Sequence, residues 1–74
     1  MITMREARVK QMLTIRGLAE AAKVSPATIQ LAEAGQRMPR FGTMRKIAAV
    51  LGVEPGEIIE FSVAMDAAMG KEAA

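Results

Sequence analysis

The stretch "LTIRGLAEAAKVSPATIQLAEAG", residues 13–35, holds two short helix signals with almost no chain between them. Thr14 can cap a first segment in which Leu18, Ala19 and Ala22 share one face. Ser25 with Pro26 behind it opens a second. The serine hydroxyl satisfies a free amide of the first turn, and proline's missing N–H costs nothing at the first helical position. Gly35 supplies a residue that takes positive φ readily and so ends the segment. Only Lys23, Val24 and Ser25 lie between the two, a connection so short that the helices must cross at a steep angle.

Working outward from this pair, Thr3 and Glu6 have the spacing of a capping box, and the segment they open runs through Met4, Ala7, Arg8 and Leu13. Beyond Gly35, "GQRMPRFG" reads as a loop. After it Met44, Ile47, Ala48 and Leu51 fall at i, i+3, i+4 and i+7 before Gly52, the clearest amphipathic pattern in the chain. Pro55 starts a fifth, short segment whose Ile58 and Ile59 close the core. Met12 and Met44 read as core or gap filler. The expected fold is therefore all-α, with five short helices in one domain over residues 1–60.

The tail, "FSVAMDAAMGKEAA" over residues 61–74, spaces Phe61, Met65 and Met69 at four-residue intervals. So small a domain has little with which to bury that stripe, and a homodimer would use it. The competing reading is a frayed end after Gly70.

Composition narrows the function. The 74 residues contain neither cysteine nor histidine, which excludes disulfides, Cys/His zinc sites, thiol nucleophiles and histidine-dependent triads. The acids are not visibly paired and no nucleophile has a base beside it, so no enzyme, metal or cofactor is expected. The longest uncharged run, Val24 to Ala32, falls far short of the roughly 18 to 20 apolar residues that span a bilayer, and the start "MITMREARVK" lacks a secretion signal. A cytoplasmic protein is expected. Residues 1–53 hold nine Lys and Arg against three acids, and residues 54–74 hold one against five. A basic body suits a polyanion, because clustered cations release the counterions condensed on phosphates.

The steep pair of helices is the geometry of a helix-turn-helix, with residues 23–35 as the helix presented to a partner. Residues 4–60, about three quarters of the chain, resemble the phage-repressor-like, Xre/Cro-type helix-turn-helix family. Leu18, Ala19, Val24, Ser25, Ile29, Glu33 and Gly35 stand at the family's spacing, followed by "PRF" at Pro39 to Phe41 and "IAAVLGV" at Ile47 to Val53. The resemblance implies a compact five-helix, lambda-repressor-like domain and a sequence-specific DNA-binding transcriptional regulator. Most simply this is a repressor that docks its third helix in the major groove of double-stranded DNA as a homodimer. It further implies that Arg8 in the first helix pairs with Glu33 late in the third as a structural ion pair.

A helix in that position reads base edges from its first turns, which makes Ser25, Ala27, Thr28, Gln30 and Leu31 the candidate base-contacting residues. Thr28 and Gln30 can hydrogen-bond, whereas Ala27 and Leu31 can only touch thymine methyls or exclude water. Thr14 and Arg16 at the start of the second helix, with Arg37 and Arg40 flanking Pro39, are the candidate phosphate contacts. Several positions depart from the family: Lys23 replaces the turn glycine, Gly17 replaces a helix former, and Ile15 stands where a glutamine is common. Pro26 and Ala27 replace polar base readers. The alternative function keeps the fold and makes Pro26, Ala27 and Leu31 a protein-docking face, as in an adaptor or an antitoxin.

Overall fold

Three hydroxyl side chains begin the first three helices of the computed structural model, which describes residues 1–73, with side chains for residues 1–70. Thr3 Oγ1 accepts the Glu6 amide at the head of α1 (Met4–Lys10), and Glu6 returns the bond to the Thr3 amide. These bonds, the one to the backbone first, hold the Glu6 carboxyl below the ordinary carboxylate range. Thr14 caps α2 (Ile15–Ala22) through the Gly17 amide, and Ser25 caps α3 (Pro26–Glu33) through the Thr28 amide. Then follow α4 (Phe41–Leu51), a single 3-10 turn at Pro55–Glu57, and α5 (Ile59–Ala73).

Two left-handed residues shape the central pair. Lys23, at φ 60° and ψ 45°, ends α2 where the family places glycine. Gly35, at φ 70°, follows α3 as the sequence anticipates. α2 packs on both α3 and α4, and α1 closes against α3. Met4, Leu18, Ile29, Ile47, Leu51, Ile58 and Phe61 are fully buried at the centre, with the small Ala19, Ala22, Ala32 and Ala48 letting the helices approach closely.

The structure corrects the sequence reading at four places. α1 stops at Lys10 rather than continuing to Leu13, because the Arg8 carbonyl accepts both the Gln11 and the Leu13 amides and turns the chain. Met12 in that turn is left-handed (φ 57°) and 93% exposed, so it fills no gap in the core. Ile59 is 39% exposed, whereas its neighbour Ile58 is buried. Ile58 is extended and forms a parallel bridge with Ile2, and the helix that starts after it turns Ile59 outward. Phe61 is buried in the core instead of joining an exposed stripe with Met69. α5 runs unbroken from Ile59 to Ala73. Of the end read as frayed, Ala74 lies outside the described residues.

Candidate nucleic-acid interface

The N-terminal half of α3 is held outward by its own burial pattern. Ile29 and Ala32 face the core, and Glu33 is tied to α1, which leaves Ala27 and Gln30 exposed and Thr28 and Leu31 half-buried. A concavity of about 410 Å³ opens beside them. Its walls bring Ser25, Ala27, Thr28 and Leu31 together with Arg37, Arg40 and Thr43 from the loop and the first turn of α4. Thus four of the five candidate base-contacting residues and two of the four candidate phosphate contacts share one surface. Gln30 is exposed but lines no part of the concavity, and Thr14 and Arg16 lie outside it at the head of α2.

The hydroxyls are partly committed. Ser25 Oγ accepts the Thr28 amide and lies 2.9 Å from Thr28 Oγ1, so one hydroxyl proton is shared between the two side chains and one is left to donate outward. Thr14 Oγ1 accepts the Gly17 amide, which leaves its own O–H free. Arg16, Arg37 and Arg40 are exposed. Among the described residues the only ion pair is Arg8 with Glu33, so these three guanidiniums have no carboxylate partner. Arg40, the N-cap of α4, makes no side-chain capping bond, and the first amides of the helix stay open to an acceptor beside the same arginines.

The Arg8–Glu33 pair is bidentate. Arg8 Nε donates to Glu33 Oε2 at 2.6 Å and an Nη to Oε1 at 3.2 Å, while the other Nη donates to the Leu13 carbonyl at 2.9 Å. Both side chains are about nine-tenths buried, at 11% and 10% exposure. The pair thereby fixes α1, the turn after it and the end of α3 to one another.

Thr43 and Met38 also line the concavity, and the sequence reading passed over them. Met38 is two residues before Arg40, and Thr43 sits in the first turn of α4. The signal that could have found them is the loop length, which folds α4's first turn back beside α3.

A basic, concave face built on the second of two packed helices joined by the three-residue turn Lys23–Ser25 defines a helix-turn-helix domain. The chain matches the Helix-turn-helix family model over residues 4–58 and belongs to that Xre/Cro-type family, a class of DNA-binding transcriptional regulators. It is also similar to the crystal structure of the clp gene regulator ClgR from Corynebacterium glutamicum, at 27% identity and a TM-score of 0.70. That likeness covers 95% of this chain and 76% of the other. No curated protein matches the chain. No helix among the described residues is long and apolar enough to cross a membrane.

Proposed function

We propose that the protein is a repressor that lays α3 in the major groove of its operator and binds as a homodimer. The observation that carries this reading is the single concavity joining Ser25, Ala27, Thr28 and Leu31 to Arg37 and Arg40. Phosphates held by Arg37 and Arg40, and by the uncapped start of α4, fix the orientation of α3 without reading sequence. Thr14 and Arg16 grip the backbone at the head of α2. Base readout then falls to Thr28 and Gln30 by hydrogen bonding, and to Ala27 and Leu31 by contact with thymine methyls. With one hydroxyl proton shared inside the Ser25–Thr28 pair, direct readout is sparse, and DNA shape supplies part of the selectivity.

The test is selection of a duplex from random sequence, followed by binding titrations at two or more salt concentrations. Arg37→Ala or Arg40→Ala weakens binding to all duplexes alike and lowers the slope of log K against log salt by about one. Thr28→Ala or Gln30→Ala leaves the slope unchanged and relaxes discrimination at one or two base positions, by no more than about 1–3 kcal/mol. Absence of salt-dependent binding to any duplex would instead assign the face of Pro26, Ala27 and Leu31 to a protein partner.

A further inference from the structure

α3 offers the concavity little that can tell one hydrogen-bonding base edge from another. Ala27 and Leu31 stand four positions apart on one face of the helix, and Val24, Met38 and Pro39 extend an apolar lining beside them. Val24 and Met38 are packed against the core, so that lining is held in place. The polar side chains on the same face are Ser25 and Thr28, whose hydroxyl oxygens lie 2.9 Å apart. A hydroxyl donates or accepts according to how it rotates. The helix's amide and its carboxylate are elsewhere: Gln30 lines no part of the concavity, and Glu33 is held by Arg8. Arg37 and Arg40 come from the loop and are given to phosphates in the reading above.

In the major groove a pyrimidine shows two substituents, the group on C4 and the group on C5. Thymine has an acceptor oxygen and a methyl group there, and cytosine has a donor amine and a hydrogen. Ala27 and Leu31 are blind to the C4 group, and the Ser25–Thr28 hydroxyls can satisfy either kind. Against this face a pyrimidine is therefore distinguished by whether its C5 carries a methyl group. Without the methyl, Leu31 faces a gap, or a water that finds no polar partner on that side. 5-Methylcytosine carries the same methyl on the same carbon as thymine, so it meets the criterion that uracil and unmodified cytosine fail.

We infer that the concave face of α3 reads pyrimidine C5 methyl groups through Ala27 and Leu31, so that 5-methylcytosine in the operator strengthens binding as thymine does. The inference rests on the reading that α3 enters the major groove. It adds to that reading a covalent mark on the DNA to which the regulator responds.

The experiment starts from the duplex selected above and titrates the full chain by fluorescence anisotropy. Each thymine is replaced in turn by deoxyuridine, which removes the methyl group and keeps every hydrogen-bonding group. The most sensitive T·A pair is then exchanged for C·G, with and without a methyl group on the cytosine C5. Thymine is expected to bind about fourfold tighter than uracil, the worth of one buried methyl group, and 5-methylcytosine to exceed cytosine by the same factor within about twofold. Both ratios are expected to fall below about twofold in Leu31→Ala and in Ala27→Ser. Circular dichroism checks folding, and Ala27→Ser, at an exposed position, decides alone if Leu31→Ala does not fold. Absence of any uracil-sensitive thymine, or a methylated cytosine that binds no better than cytosine, would overturn the inference. Ratios that persist in the folded variants would overturn it as well, because the methyl group then acts through DNA shape. A chain with no salt-dependent binding to any duplex overturns the major-groove reading and the inference with it, a result distinct from DNA binding that ignores the methyl group.

Discussion

The guanidinium of Arg8 serves three acceptors at once, both carboxylate oxygens of Glu33 and the Leu13 carbonyl. At about one-tenth exposure, neither charge can turn to water if its partner is removed. Arg8→Ala and Glu33→Ala are therefore each expected to cost about 2–4 kcal/mol, and the double variant clearly less than their sum, since the second change removes a charge already stranded by the first. A urea-denaturation cycle checks this, and additive costs would contradict it. Lys23 is a residue-scale departure of the opposite kind. It accepts a left-handed conformation that costs an L-residue about 1 kcal/mol or more, and the central turn forms nonetheless. The reason is that α2 and α3 both bury their inner faces once the turn is made.

At the scale of the element, Gly17 has a local reason to be glycine. A Cβ there would lie 3.1 Å from Thr14 Oγ1, the atom that accepts the Gly17 amide and caps α2. Alanine would add about 1 kcal/mol of helix propensity, and crowding of the cap takes back that gain. Gly17→Ala is thus expected to leave stability within about 0.5 kcal/mol of wild type or lower it. In a Thr14→Ala background, which loses the cap but also the crowding oxygen, the same change should stabilise by about 1 kcal/mol. Equilibrium unfolding of the four proteins measures the coupling, and an equal effect of Gly17→Ala in both backgrounds would refute it.

At the scale of the molecule, the two ends of the fold are joined. The Ile2 amide donates to the Glu57 carbonyl and the Ile59 amide to the Ile2 carbonyl, each at 2.9 Å. One turn further, Glu60 Oε1 accepts the Met4 amide at 2.9 Å, so the first turn of α5 caps the first turn of α1. A carboxylate at a helix N-terminus also meets the favourable end of the helix dipole. Glu60→Ala is expected to destabilise the domain by about 1–2 kcal/mol and to raise hydrogen exchange at the Met4 amide ahead of the α3 amides. Glu60→Gln, which keeps an acceptor, should lose less. Identical losses for the two variants would mean that the bond to Met4 contributes little.

Local chemistry was sufficient to read much of this protein from its sequence alone. Thr3, Thr14 and Ser25 cap amides three residues away, Gly35 and Gly52 take the positive φ that their helix ends require, and the spacing of Met44, Ile47, Ala48 and Leu51 marks the buried face of α4. Such signals act within one or two turns, so they survive without knowledge of the rest of the chain. The candidate site was legible as a set of residues for the same reason, since Ser25 to Leu31 belong to one helix and Arg37 and Arg40 to the loop that follows it. Tertiary structure decided what depends on partners far along the chain. The bond from Met4 to Glu60 spans 56 positions, and the Ile2–Ile58 bridge determines that Ile58 points inward and Ile59 outward. Phe61 is core only because that bridge brings the start of α5 onto the body, and Met12 is solvent-exposed only because Arg8 turns the chain back toward Glu33. No local pattern encodes these outcomes, because each follows from where a distant segment comes to rest.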